Sequence, residues 1–108
     1  MDATEFENLA DETLENLFEA IDDAIGGDAD VDFENAILTI ELEDGRQYVI
    51  NKHAPNKQIW LSSPVSGAAH YAFDLEAGTW VSTRGGEALL DVLGAELSQL
   101  AGQKVSLA

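Results

Sequence analysis

The chain has 108 residues and carries 21 acidic side chains against 5 basic ones, a formal net charge of −16. Hydrophobic residues make up 45% of it, enough for a folded core and too many for a disordered acidic tail. The charge argues against nucleic acid and anionic membrane surfaces as partners, no stretch approaches the roughly 18 apolar residues of a membrane span, and the absence of cysteine excludes disulfides, zinc ribbons, cysteine-held clusters and thiol nucleophiles.

The length predicts a single domain over residues 1–108. Its charge is lopsided. Residues 1–45 hold 16 acidic side chains and no Lys or Arg, whereas the remainder holds 5 of each sign. All of the net charge belongs to the first 45 residues. The N-terminus shows no basic or Arg-rich leader. That fits a bacterial-type cytoplasm, or a mitochondrial matrix if the chain is a processed mature form.

A first helix is predicted from Thr4, with Glu7 completing a capping box. Phe6, Leu9, Ala10, Leu14, Leu17, Phe18, Ile21 and Ala24 recur at helical spacing, and Gly26–Gly27 ends the pattern where a C-cap is expected. On a wheel with Asp11 at the origin, the apolar set spans about 160° to 340° and the acids Asp11, Glu12, Glu15, Glu19, Asp22 and Asp23 about 0° to 120°. No lysine at i+4 relieves those acids.

The period then changes to two. Val31 and Phe33 predict a short strand, and Leu38, Ile40 and Leu42 predict a second. A hairpin built on Asp44–Gly45 leads to a return strand over 47–52. Residues 53–56 read as a turn, 57–62 as a strand, 63–68 as a loop, and 70–74 with 79–83 as a last hairpin. Leu89, Leu90, Leu93, Leu97 and Leu100 mark a second helix ended by Gly102, and the apolar tail Val105–Leu107 is placed to fill the gap between helices. There are no strand–helix–strand crossovers. The expected fold is α+β, a two-layer sandwich with two terminal helices packed on one face of a meandering antiparallel sheet of about six strands.

In the strand over 57–62, Ile59 and Leu61 fall on one face, and Gln58, Trp60 and Ser62 on the other. If the aliphatics face the helices, Trp60 faces outward, with Asn51, Lys52 and Gln58 as expected neighbours. An exposed aromatic among hydrogen-bonding groups is a typical binding anchor; the alternative is that the Ser63–Ala68 loop partly covers Trp60, which then only props up the sheet. Trp80, beside Tyr71 and Phe73, reads as core or half-core.

Catalytic signatures are absent: no serine sits in a nucleophile elbow, and His53 and His70 lack metal-ligand spacing. Each reads as a surface histidine. Asp28, Asp30 and Asp32 open like a calcium loop, but Phe33 and Thr39 occupy the positions that need glycine and glutamate. Carboxylate-only binding of hard cations (iron, Mn²⁺, Mg²⁺, Ca²⁺) remains, through Glu15, Glu19, Asp22, Asp23 and the acids that follow. Outward carboxylates on a rigid helix cannot encircle an ion, so such sites are expected to be weak and several per molecule.

PNKQIWLSSPVSG at 55–67, YVINKHA at 48–54, HYAFD at 70–74 and DDAIGGDADVDFE at 22–34 together resemble the frataxin family in its bacterial CyaY form, in the same element order over essentially the whole chain. The resemblance implies an iron-binding protein of iron–sulfur cluster assembly. It implies weak Fe²⁺/Fe³⁺ binding, no organic cofactor, and docking on the cysteine desulfurase and scaffold complex to regulate assembly or supply iron. It also implies a monomer able to form metal-induced oligomers. By position, Asp11, Glu15, Glu19, Asp22, Asp23 and Asp30 match the family's metal ridge. Asn51, Lys52, Gln58 and Trp60 match its partner-binding sheet surface. Glu7 stands where some bacterial members have a histidine ligand, Gly27 lengthens the acidic loop, and His70 stands where animal members carry a basic residue. Two other readings use the same ridge: a ferroxidase acting on ferrous iron, which calls for an enclosed centre that no motif here supplies, and a metal-independent acidic adaptor that steers a basic partner.

Overall fold

The computed structural model describes residues 1–107. It begins with α1 (Ala3–Ile25), whose first turn is closed two residues earlier than Thr4 and Glu7 predict. Asp2 is the N-cap: its carboxylate accepts the Glu5 amide at 2.8 Å, while the Glu5 carboxylate accepts the Asp2 amide. A carboxylate cap also meets the positive end of the helix dipole, which a hydroxyl does not. At the other end the expected left-handed cap does not form. Gly26 stays helical, at φ −60°. The glycine is needed there for space, because a Cβ would collide with the Asp22 carbonyl.

Six strands follow: β1 (Asp30–Glu34), β2 (Ile37–Glu41), β3 (Gln47–His53), β4 (Gln58–Ser63), β5 (Gly67–Asp74) and β6 (Thr79–Ser82). They pair in sequence order, every neighbour antiparallel. A short 3₁₀ turn over Ala54–Asn56 joins β3 to β4. The β2–β3 turn is the Asp–Gly hairpin read from sequence, with Gly45 at φ +90° and Asp44 holding the Arg46 amide and guanidinium. Helix α2 (Leu89–Ala101) completes the chain and ends at Gly102 in the left-handed conformation. The architecture is the expected one: two helices on an open, six-stranded antiparallel meander.

Alternation along the strands sends Leu38, Ile40, Tyr48, Ile50, Ile59, Leu61 and Tyr71 inward, where they meet Phe6, Ala10, Leu14, Leu17 and Ile21 of α1 and Leu89, Leu93 and Leu97 of α2. α1 lies over β1–β3, and α2 against β6. Trp80 joins the layers. It is buried, edge-on to Phe6 and Phe73, and donates its indole N–H to the Thr13 hydroxyl at 3.0 Å. The C-terminal tail folds back as expected: Val105 enters the core, and its amide donates to Ser98 Oγ at 2.8 Å. The opposite sheet face carries no helix. It presents Asp30, Asp32, Thr39, Glu41, Asn51, His53, Gln58, Trp60 and His70.

Candidate metal ridge and docking face

The two flanks of α1 are assigned by their contacts. Thr13 meets Trp80 on the β6 side, whereas Phe18 stacks on Phe33 of β1, ring centres 5.9 Å apart, and Glu7 reaches β3. On the wheel, Asp11, Glu15 and Asp22 share the Phe18 flank, with Glu19 and Asp23 further round toward solvent. Asp11, Glu12, Glu15, Glu19, Asp22 and Asp23 are all exposed or nearly so. From Glu12 to Asp23 none has a basic partner; the described ion pairs involve only Asp44, Glu7 and Asp11. The helix therefore presents a continuous anionic strip. Among the described residues no three His, Asp or Glu side chains converge closely enough to hold a metal ion. What the strip supplies is hard oxygen donors in a row, each open to water, rather than a cage.

Asp30 is not part of that strip. Its place in β1, opposite Glu41, turns it onto the open face, where Asp30, Asp32, Thr39, Glu41 and Gln47 line a shallow acidic depression. The structure thus separates the six candidate ligands into five on the helix and one on the sheet.

The partner-binding candidates divide as well. Asn51 pairs with Trp60, and Trp60 with His70, across three strands, so the three share a row on the open face, with Gln58 one row along. Trp60 is half-buried, and its indole N–H donates to Gln58 Oε1 at 2.8 Å. Two histidines cover it. His53 lies flat on one face of the indole, centroids 3.7 Å apart, and His70 on the other at 4.2 Å. The two histidines, which the sequence reads as isolated surface residues, form a three-ring stack that fixes the Trp60 rotamer. His53 Nδ1 is buried in it without a hydrogen-bond partner.

Lys52 corrects the expected surface. Adjacent to Asn51, it must point the other way, and it shares the helix-facing row with Ile59 and Tyr71. Its ammonium donates to Glu7 Oε2 at 2.6 Å and Asp11 Oδ1 at 2.7 Å. Those bonds, Asp11 first and then Glu7, raise its pKa above the usual lysine range. So the relief that sequence spacing denied to the first acids of the ridge comes from a strand about forty residues away.

A third cluster ties α2 to the sheet. The Glu96 carboxylate accepts hydroxyl bonds from Tyr48 (2.8 Å), Ser63 (2.6 Å) and Ser66 (2.7 Å), and Ser63 Oγ in turn accepts the Val65 and Ser66 amides. This network anchors the β4–β5 turn that follows the Trp60 strand.

The sequence profile of the Frataxin-like domain matches residues 1–103. The chain is 43% identical over 99 residues to the mitochondrial frataxin homolog of Schizosaccharomyces pombe, covering 88% of this chain and 63% of that protein. It is 38% identical over 100 residues to the iron-sulfur cluster assembly protein CyaY of Thioalkalivibrio sulfidiphilus, covering 91% and 92%. The chain thus spans under two thirds of the mitochondrial relative and nearly all of the bacterial one. Among solved structures, the frataxin of Psychromonas ingrahamii superposes with a TM-score of 0.86 at 29% identity, covering 100% of this chain and 99% of that one. Trimeric frataxin of the yeast Saccharomyces cerevisiae, complexed with ferrous iron, gives 0.76 at 38% identity over 87% and 86%.

Proposed function

This chain belongs to the frataxin family, and from that premise we propose that it is an iron-binding protein of iron–sulfur cluster assembly. It holds Fe²⁺ and Fe³⁺ weakly along α1, through Asp11, Glu15, Glu19, Asp22 and Asp23, with Asp30 in the separate sheet depression. It docks on the cysteine desulfurase and scaffold complex through Asn51, Gln58 and Trp60, and there regulates assembly or supplies iron. The compartment that goes with this role is a bacterial cytoplasm or a mitochondrial matrix, a reading supported by a bacterial relative and a mitochondrial one.

The observation that carries the reading is the strip from Glu12 to Asp23, open to solvent and without a cationic partner among the described residues. Acids one turn apart repel by a few tenths of a kcal/mol per pair, and a fold gains nothing from that by itself. A multivalent cation converts the repulsion into attraction. Because no carboxylate cage exists among the described residues, water fills most of each ion's shell, and binding is weak and multi-site. The docking half rests on Trp60, a large anchor held in one rotamer beside two amides.

The test is an anaerobic Fe²⁺ titration of the variant Glu19→Gln/Asp22→Asn/Asp23→Asn. Most of the binding should disappear, while the circular dichroism spectrum stays unchanged and the thermal midpoint stays level or rises. An unaltered titration would overturn the ridge reading.

A further inference from the structure

Lys52 occupies a singular place in the ridge. It comes from the helix-facing row of β3, so its stem packs under α1 and only 20% of its side chain is exposed. Its head emerges between Glu7 and Asp11, which stand one helical turn apart, and bonds both. A surface lysine on a free stem would sample many positions at an entropic cost. This one is delivered to a fixed point by the register of the sheet. Two carboxylates with one cation between them is also the arrangement a divalent ion would make with the same oxygens. Further along the helix, Glu12, Glu15, Glu19, Asp22 and Asp23 have no such occupant among the described residues.

We infer that Lys52 is a built-in counter-cation that fills the N-terminal end of the ridge, confines metal cations to the stretch from Glu15 onward, and admits them to Asp11 only when it is displaced. The inference rests on the ridge reading above and refines it. Asp11 matches a family ridge position, yet in this chain its carboxylate is already engaged. The fixed ammonium acts in two ways: it takes the lone pairs a metal would use, and it repels a metal in the neighbouring turn. For a divalent ion about 8 Å away in water, the second effect alone weakens binding on the order of five-fold.

The experiment uses Ca²⁺ as a diamagnetic, oxygen-seeking probe on the folded, isotope-labelled chain, following the side-chain carboxyl carbon shifts of α1, which respond chiefly to an ion held at that same group. In the wild-type protein, low Ca²⁺ should shift the carboxyl signals of Glu15, Glu19, Asp22 and Asp23 and leave those of Glu7 and Asp11 in place. In Lys52→Gln, Glu7 and Asp11 should shift at the same Ca²⁺ level, and the apparent affinity over 15–23 should rise about five-fold. Lys52→Arg, which keeps the charge, should restore the wild-type pattern. In Lys52→Gln/Glu7→Gln/Asp11→Asn, the side-chain carbonyl signals at positions 7 and 11 should stay in place. If Glu7 and Asp11 shift as readily as Glu15 to Asp23 in the wild type, or if Lys52→Gln leaves the pattern unchanged, the inference fails and the ridge reading stands. If no carboxyl signal of α1 shifts in any variant, both fall together. The amide spectrum shows at each point that the variant is folded.

Discussion

Glu96 gathers the Tyr48, Ser63 and Ser66 hydroxyls onto one carboxylate, and the cost of that geometry emerges in base. Burial, reinforced by the bond to Glu96, holds the Tyr48 phenol well above its ordinary pKa, and burial raises Tyr71 as well. A raised phenol contributes stability that is complete below the unfolded value and is lost as pH climbs through it toward the folded value. The protein should therefore hold its stability up to about pH 10 and lose it above. Tyr48→Phe should cost about 1 kcal/mol at neutral pH, since Glu96 keeps two donors, and should flatten the alkaline loss; denaturant melts between pH 7 and 11 measure both. Trp60 makes the complementary case on the open face. Its neighbours in the stack are side chains on the surface rather than core, so Trp60→Ala should shift the denaturation midpoint little. It should weaken binding to the desulfurase–scaffold complex by about 30-fold, the scale of a hot-spot residue, in a direct binding titration. The outward aim of Trp60 is legible from its aliphatic neighbours Ile59 and Leu61. The histidine stack is not, because it depends on the register of β3, β4 and β5 together. Grouping Lys52 with its chain neighbour Asn51 fails for a simpler reason: one step along a strand reverses the face.

At the level of elements, periodicity locates both helices and all six strands, and the boundaries move where local chemistry competes. Asp2 outcompetes Thr4 as the cap, and β5 begins at Gly67 rather than His70 because its backbone continues to pair with Ser62 and Ser63 beyond the apolar run. The tightest connection carries only half a signal, an asparagine without the glycine that usually follows it. β1 and β2 are joined by Asn35–Ala36, both in the left-handed region at φ +54° and +61°. A two-residue hairpin of this kind prefers glycine in the second place, and alanine there is strained. Ala36→Gly should relieve the strain and raise stability by about 0.5–1 kcal/mol, read as a higher denaturant midpoint with an unchanged slope.

On the scale of the whole molecule, the fold places its two electrostatic halves side by side. The acidic helix covers β1–β3, while the near-neutral half of the chain builds the Trp60 face and α2. The charge division is legible in the sequence because it needs only counting. The placement of Asp30 apart from the helix acids is not, because sequence adjacency to the ridge hides a change of face.

The strand order has a kinetic consequence. Each β-strand neighbours its predecessor along the chain, so the sheet can assemble by successive hairpins, each closing a short loop. The layer that covers it cannot: α1 and α2 come from opposite termini, and the cover closes through long-range contacts such as Thr13 of α1 with Trp80 of β6, Gln103 of the C-terminal tail with Ala24, and the shared core. Assembly of this molecule is therefore expected to wait on its ends, with the meander zipped early as a template and the long-range closure of the helices setting the pace.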